Sequence, residues 1–197
     1  QRGDATLFVK FLDKKTYRRA AATFAAMPEP VAPMAFAKAS TMIDGECAYV
    51  AEAAQGVCLR DLLARGESPP WDLLDRAIRA LRATPVHDVM PTIDYASALD
   101  AGVRMLQKGA VLMPELQQRA DLLARVSAPQ AVRAGFVHGD FHDRQLFFTH
   151  DRATLIDLET IGRGDAHFDV VNMAEQLRLR SLQQTGADDG MCDALLD

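Results

Sequence analysis

The chain has 197 residues, of which 49% are apolar and 25% are charged, with a formal net charge of −5 and a pI near 5.5. This is an ordinary soluble globular composition, enough for one large or two small domains. No run reaches the roughly 18 apolar residues of a membrane span, no signal peptide opens the chain, and the acidic balance favours no nucleic-acid surface. We therefore expect a cytoplasmic protein without membrane or nucleic-acid partners, and the oligomeric state stays open. Three cysteines without metal-site spacing are interpreted as reduced thiols: Cys47, Cys58 and Cys192.

The first part of the chain is predicted to form strands around one helix. Residues 6–12 are an apolar, β-branched run with a single lysine, Lys10, and predict a strand. An alanine-rich stretch at residues 17–27 predicts a helix that ends before a proline. Taken alone, Lys10 could also be an exposed side chain on an edge strand. The remaining elements of this region are strands at residues 31–39 and 47–56 and an Asp44-Gly45 turn between them.

The middle of the chain is predicted to be mainly helical. Apolar residues recur there at helical spacing in several stripes, which we interpret as core-facing. The stripes are Leu73, Leu74, Ala77, Ile78 and Leu81; Tyr95, Leu99, Gly102, Val103 and Leu106; Leu116, Leu123 and Val126; and, later in the chain, Val170, Met173, Ala174 and Leu177. A loop at residues 186–190 and a short helical segment are expected after the last of them.

The most informative stretch is Phe136-Val137-His138-Gly139-Asp140-Phe141-His142-Asp143-Arg144-Gln145-Leu146-Phe147-Phe148. It packs ionisable side chains between two apolar strands, and Thr154-Leu155-Ile156-Asp157-Leu158-Glu159 follows as a further strand that ends in carboxylates. Phosphoryl transfer to a hydroxyl needs a carboxylate for the hydroxyl proton and oxygen ligands for Mg²⁺. The protein-kinase catalytic loop places these as an Asp, an amide five positions later and a second Asp after the next strand. Asp140, Gln145 and Asp157 have this spacing.

These motifs resemble those of the aminoglycoside phosphotransferase and choline kinase family, in which the loop reads His-Gly-Asp and ends on Asn. The run Gly162-Arg163-Gly164-Asp165-Ala166-His167-Phe168-Asp169 is similar to that family's Gly-x-Gly-Asp-x-x-x-Asp segment. The resemblance implies an α+β, two-lobe protein-kinase-like fold. Residues 1–55 would form a partial nucleotide-binding lobe of sheet plus helix, and residues 56–197 a mainly helical lobe with the catalytic and metal-binding loops. The resemblance further implies a phosphate-covering hairpin before the Lys10 strand and further helices at the end of the fold, and we expect neither within these 197 residues.

The resemblance also implies the ligands and the roles of single residues. The cofactors would be ATP, or another nucleoside triphosphate, and Mg²⁺, and the acceptor would be the hydroxyl group of a small molecule. Asp140 would be the general base, Gln145 and Asp157 the metal ligands, and Lys10 the contact to the nucleotide phosphates. The hinge strand would hold adenine at Glu52 and Ala54. Supporting roles fall to His138, which would hold the loop by hydrogen bonds; Glu159, which would help at the metal; and Asp169, which would accept loop N–H groups or, alternatively, cap the following helix.

Two positions depart from the family pattern. Gln145 stands where the family usually has Asn, and its side chain is one methylene longer, although its amide oxygen suits a hard cation. The helix at residues 17–27 also lacks the Glu that holds the lysine in kinase-like proteins, since no Glu lies between Lys10 and Pro28.

Two other functions stay open at this point. The departures are compatible with a catalytically inactive nucleotide-binding module. A dinuclear metal hydrolase is the third hypothesis, because His138, Asp140, His142, Asp143 and His150 could hold transition metals. The sequence does not distinguish an aminoglycoside, an amino alcohol or a sugar-like compound as the acceptor.

Overall fold

The computed structural model describes residues 6–36, 39–41, 47–127 and 134–185, and these contain nine β-strands and six α-helices. The Asp44-Gly45 turn, Cys192 and the predicted loop at residues 186–190 with its helical segment lie outside them. In chain order the elements are β1 (Leu7–Phe11), α1 (Lys14–Ala25), β2 (Met34–Phe36), β3 (Ala39–Thr41), β4 (Ala48–Glu52), β5 (Val57–Cys58), α2 (Leu59–Ala64), α3 (Trp71–Ala83), α4 (Tyr95–Gly109), α5 (Glu115–Leu123), β6 (Ala134–Val137), β7 (Leu146–Phe148), β8 (Ala153–Leu155), a 3₁₀ turn (Leu158–Thr160), β9 (Gly162–Asp165) and α6 (Phe168–Thr185).

The strands form three small sheets with the orders β1-β4-β3, β2-β8-β7-β5 and β6-β9. In the first sheet β1 and β4 are antiparallel, with Lys10 opposite Tyr49. The second sheet contains the antiparallel pair β7 and β8; β7 follows the polar loop singled out in the sequence, and β8 is the strand that precedes the carboxylates. The predicted mixture of a small sheet with one helix and a mainly helical remainder is confirmed.

One strand lies in a different sheet from the one expected. Residues 31–39 are assigned by sequence to the small N-terminal sheet, whereas β2 pairs in parallel with β8, with Ala35 opposite Thr154. The assignment is wrong for β2, because its partner lies far along the chain and leaves no local sequence signal. As a result β2, which follows α1, belongs to the same sheet as β7, the strand at the end of the polar loop.

Two helices begin at aspartate caps. The Asp13 carboxylate accepts hydrogen bonds from Lys15 N at 2.9 Å and Thr16 N at 3.0 Å at the start of α1. Asp94 accepts from Ser97 N at 2.7 Å at the start of α4. Such caps satisfy N–H groups that have no partner inside the helix, so each aspartate fixes where its helix begins.

The hydrophobic core lies between α3, α6 and the strands around the polar loop. The whole first stripe is buried on α3, as expected, and α3 packs against β2, β6 and β8. In the last stripe Met173, Ala174 and Leu177 are buried on α6. The stripe on α4 faces α5 but is only half-buried, so its interpretation as core is wrong for the described residues. No helix among the described residues is long and apolar enough to cross a bilayer.

Candidate active site

The polar loop lies between β6 and β7, and the carboxylate segment follows β8. Because β7 and β8 pair with Leu146 opposite Leu155, the ends of the two segments come together. Gln145 O accepts a hydrogen bond from Ile156 N at 3.0 Å, which places Asp157 one residue beyond the pairing. The sheet therefore brings the backbone of Gln145 next to the segment that carries Asp157.

Gln145 also contacts the predicted general base. Its Nε2 donates to Asp140 Oδ2 at 3.3 Å, and its Oε1 is buried without a hydrogen-bond partner among the described residues. The Asp140 side chain is about half exposed, at 56%. Asp140 is thus open to a substrate, while Gln145 presents an unused amide oxygen beside it.

The Asp157 side chain lies close to Lys10 of β1. Its backbone is left-handed, with φ 57°, and Lys10 Nζ lies 3.4 Å from its Oδ1. Lys10 also forms an ion pair with Glu159 Oε1, and Tyr49 Oη donates to Glu159 Oε2 at 2.9 Å. The structure therefore brings the predicted residues Lys10, Asp157 and Glu159 into one cluster and adds Tyr49, which the sequence analysis missed.

Burial and charge shift the pKa values in this cluster. Burial alone would lower the pKa of Lys10, but the hydrogen bond and charge of Glu159 and the charge of Asp157 raise it overall. Burial would raise the pKa of Glu159, yet hydrogen bonds from Lys10, its own backbone and Tyr49 lower it overall. Burial and the negative charge of Glu159 raise the pKa of Tyr49. The lysine and the glutamate are therefore both held in their charged forms, and the tyrosine remains a hydrogen-bond donor.

Asp169 holds the beginning of the polar loop. Its carboxylate accepts hydrogen bonds from His138 N at 2.6 Å and Gly139 N at 2.9 Å, which is the contact implied by the family resemblance. Gly139 has φ 85°, and a Cβ there would lie 3.0 Å from Thr160 O, so a side chain would not fit. Burial raises the pKa of Asp169, and the charge of His138 and the two N–H bonds offset only part of that rise.

His138 connects the polar loop to neighbouring segments through hydrogen bonds. Its ring is buried, and its Nε2 lies 2.9 Å from Ile156 O, while Thr160 Oγ1 donates to His138 O at 2.8 Å. These bonds connect the polar loop to the segment around Asp157. The supporting role of His138 stays a prediction.

A cleft of about 460 Å³ lies beside Lys10 and Asp157. Its walls come from β1, β4, α1 and the β7–β8 region, and the predicted hinge residues Glu52 and Ala54 both line it. The other lining residues are mostly apolar: Phe8, Val9, Phe24, Tyr49, Ala51, Ala53, Phe147, Ile156 and Leu158. A flat aromatic group with a charged tail fits such a cleft, with the tail at the lysine.

A second, more polar pocket of about 390 Å³ lies at Asp140, and it is lined on one side by α6. Arg180 of α6 forms an ion pair with the buried Asp143 of the loop, with Arg180 Nη2 2.6 Å from Asp143 Oδ2. The Asp143 backbone oxygen accepts from Arg60 N at 3.0 Å and from Cys58 Sγ at 3.3 Å. Arg180 was not singled out in the sequence, since one arginine on a helix carries no motif.

The donor atoms suit a hard divalent cation. The buried, unpartnered Oε1 of Gln145 and the part-exposed carboxylate of Asp157 are oxygen ligands of the kind that Mg²⁺ takes, together with substrate phosphates. These residues fit the cation that the family resemblance implies.

A dinuclear hydrolase site does not form. Among the described residues, no group of three or more His, Cys, Asp or Glu side chains is placed to hold a metal ion. His138 is buried with Nε2 at a backbone oxygen, and the His150 side chain is 92% exposed in the turn between β7 and β8. Of the five proposed ligands only Asp140, His142 and Asp143 lie together, with His142 ring nitrogens 3.8 Å from each carboxylate, so the described residues do not support the hydrolase hypothesis.

Phosphoryl transfer to a hydroxyl requires a cationic group, a carboxylate and oxygen ligands for a metal, and the apolar cleft at Lys10 and Asp157 and the polar pocket at Asp140 together contain such groups. Fold and site together define the class as a kinase-like phosphotransferase. The sequence matches the model of the phosphotransferase enzyme family over residues 14–196, and the chain belongs to that family. The predicted family and the predicted class, a small-molecule kinase, are both confirmed.

Solved structures with a similar fold include three antibiotic phosphotransferases. An aminoglycoside-3'-phosphotransferase of type VIII is 19% identical, with a TM-score of 0.55 over 98% of this chain and 76% of that one. The streptomycin-ATP-APH(2")-IIa ternary complex is 12% identical, with a TM-score of 0.55 over 94% and 78%. The macrolide 2'-phosphotransferase MphH from Brachybacterium faecium is 15% identical, with a TM-score of 0.53 over 96% and 73%. Comparison with curated proteins gives no significant match. Identities this low establish the kinase-like fold alone.

Proposed function

We propose that the chain transfers the γ-phosphate of ATP to a hydroxyl group of a small molecule. Lys10 contacts the nucleotide phosphates, Gln145 and Asp157 hold Mg²⁺, and Asp140 is the general base. Glu52 and Ala54 hold the adenine end of the cleft. Each of these roles is an assignment of ours that rests on the family, the fold and the contacts described above.

The main support for the proposal is a series of contacts that connects Lys10 to Asp140. Lys10 Nζ lies 3.4 Å from Asp157 Oδ1. Asp157 follows Ile156, whose N–H donates to Gln145 O. Gln145 Nε2 in turn donates to Asp140 Oδ2 at 3.3 Å. Asp157 lines the apolar cleft and Asp140 lines the polar pocket, so Gln145 stands between the two. A nucleotide in the cleft would thus present its terminal phosphate toward an acceptor in the pocket.

The choice of ATP is supported by the shape of the cleft and by one structural neighbour. The apolar walls suit a purine, and the lysine end suits phosphates. The neighbour named as a streptomycin-ATP complex holds ATP in the same fold. Mg²⁺ bound at Gln145 and Asp157 would neutralise charge on the β- and γ-phosphates.

The reaction assigned to the pocket is a displacement at phosphorus. The acceptor oxygen forms a bond to the γ-phosphorus, the bond from that phosphorus to the bridging oxygen breaks, and ADP leaves. Asp140 Oδ orients the acceptor hydroxyl and takes its proton as the new bond forms. Half exposure of Asp140 allows this contact, and the hydrogen bond from Gln145 keeps the carboxylate oriented.

The test is an acceptor screen on the full-length protein. ADP release is measured with ATP, Mg²⁺ and a panel of aminoglycosides, macrolides, amino alcohols and sugars, and ³¹P NMR identifies a phosphate monoester product. We expect acceptor-dependent ADP release with one chemical class. Nucleotide binding without turnover for any acceptor would favour the inactive module, and absence of nucleotide binding would reject the proposal altogether.

A further inference from the structure

Lys10 does not find its carboxylate partner on α1. The 12 residues of α1 include no Asp or Glu. Its buried residues are Ala20 and Thr23, and Phe24 packs edge-on against the Tyr49 ring, with centroids 5.3 Å apart. The helix therefore offers the lysine apolar and small side chains, and the anion that fixes the lysine has to come from elsewhere.

Glu159 supplies that anion from the 3₁₀ turn after β8. Its carboxyl group is nearly buried, with 9% of the side chain exposed, whereas the side chains of Lys10 and Asp157 are each 42% exposed. One oxygen pairs with Lys10 Nζ, and the other accepts from Tyr49 Oη at 2.9 Å. Both oxygens are engaged by protein groups, so the carboxylate has one fixed orientation.

The two neighbouring carboxylates therefore differ in what they can do. Asp157 is more exposed and lies 3.4 Å from the lysine, so it can turn toward a cation without leaving Lys10 unpaired. Glu159 would have to break its bonds to Lys10 and Tyr49 in order to reach a metal. The geometry thus separates a carboxylate for the cation from a carboxylate for the lysine.

We propose that Glu159 is a positioning residue that holds Lys10 at the nucleotide phosphates, and that Tyr49 fixes Glu159 in this role. The inference rests on the proposed function, because it requires that Lys10 contacts phosphate. It replaces the expectation that Glu159 helps at the metal. It also accounts for the missing acidic residue on α1, since the 3₁₀ turn, which packs against α1, supplies the carboxylate instead.

The experiment is a double-mutant cycle on nucleotide affinity. The Kd of a non-hydrolysable ATP analogue is measured by calorimetry, with Mg²⁺ and with EDTA, for wild type, Lys10→Ala, Glu159→Gln and the double variant. Loss of one charged hydrogen bond predicts that Glu159→Gln weakens binding about tenfold. Because Glu159 acts through Lys10, it should cause no further loss in the Lys10→Ala background, and the coupling should persist in EDTA.

Tyr49→Phe is the conservative partner variant. It removes only the hydroxyl and keeps the ring against Phe24, so binding should weaken by a smaller factor, about threefold, without a large loss of Tm. Glu175→Gln and Lys14→Ala, exposed residues on α6 and α1, are the matched controls and should leave the Kd unchanged.

Three results would overturn the inference. Unchanged affinity in Glu159→Gln with a lowered Tm would make Glu159 merely structural. Additive losses from Lys10→Ala and Glu159→Gln that occur only with Mg²⁺ would make it a metal ligand. If wild type binds no nucleotide, the proposed function fails first and the inference fails with it, whereas binding that is insensitive to Glu159 rejects the inference alone.

Discussion

The side-chain amide of Gln145 donates a hydrogen bond to Asp140 Oδ2, and this bond connects the candidate metal ligand to the candidate base. It uses the nitrogen end of the amide and leaves the buried oxygen end without a partner among the described residues. The longer side chain thus contacts the carboxylate through its nitrogen and leaves its oxygen available for the cation of the proposed function. The substitution of Gln for the family's Asn is compatible with an intact site.

Gln145→Asn tests whether the longer side chain is matched to its loop. The shorter amide is pulled back by about one C–C bond, ~1.5 Å, so it should lose the bond to Asp140 and the reach to the cation. We expect turnover to fall and the Mg²⁺ concentration for half-maximal activity to rise. Restored or raised turnover would show instead that Gln145 marks a decayed site.

Asp140→Asn isolates the proton-accepting role. The amide oxygen keeps the acceptor for Gln145, but the side chain can no longer take a proton, so turnover should fall about 10²–10⁴-fold while nucleotide Kd stays unchanged. The matched control is Asp100→Asn, on the exposed side of α4. Equal turnover in wild type and Asp140→Asn would end the general-base assignment.

Asp157→Asn tests the charged metal ligand. Asn tolerates the left-handed backbone of this position, so the change removes charge and leaves the turn intact. Affinity for the Mg²⁺–nucleotide complex should drop about ten- to a hundredfold, while affinity measured in EDTA should change little. A similar loss in both conditions would point to the Lys10 contact and not to the metal.

The Asp143–Arg180 ion pair should stabilise the polar loop against α6. Arg180→Met leaves a buried carboxylate without its partner, and we expect a loss of about 2–3 kcal/mol in the free energy of unfolding, or roughly 5–10 °C in Tm. The control is Glu67→Gln in the exposed Arg65–Glu67 pair, with N–O distance 2.9 Å, which should change stability by less than about 0.5 kcal/mol. Equal effects of the two changes would contradict the structural role of Arg180.

Asp169 and Asp94 have opposite pKa shifts and should give opposite pH dependence of stability. Burial raises the pKa of Asp169, so the native state binds its proton more tightly than the unfolded chain does. Its contribution to stability therefore grows as the pH falls from the raised pKa toward the ordinary value of about 4. The hydrogen bond from Ser97 N lowers the pKa of Asp94, so its contribution is full above the ordinary pKa and disappears as the pH falls through the lowered one.

The measurement for these two residues is Tm against pH for wild type, Asp169→Asn and Asp94→Asn. As the pH falls toward the ordinary carboxyl value of about 4, the difference between wild type and Asp169→Asn should shift in favour of wild type. The difference between wild type and Asp94→Asn should shift against wild type below about pH 4. Slopes of the same sign for both variants would contradict the assignment.

Residues that act through local patterns could be predicted from the sequence, and residues that act through distant contacts could not. The apolar stripe on α3 follows the helical period, and the spacing of Asp140, Gln145 and Asp157 indicates a strand–loop–strand unit. By contrast, Glu159 and Tyr49 are 110 positions apart, and no pattern connects them. The same holds for the pairing of β2 with β8, and for Arg180, whose partner lies on another element.

The position of Glu159 on the 3₁₀ turn has a consequence for inhibitor design. Protein kinases are switched by moving the helix whose glutamate pairs with the lysine. Here an outward turn of α1 would separate no ion pair of Lys10, because α1 contributes no acid to it. A compound that binds between β1 and the 3₁₀ turn and separates them would instead break the ion pairs of Lys10 with both Asp157 and Glu159.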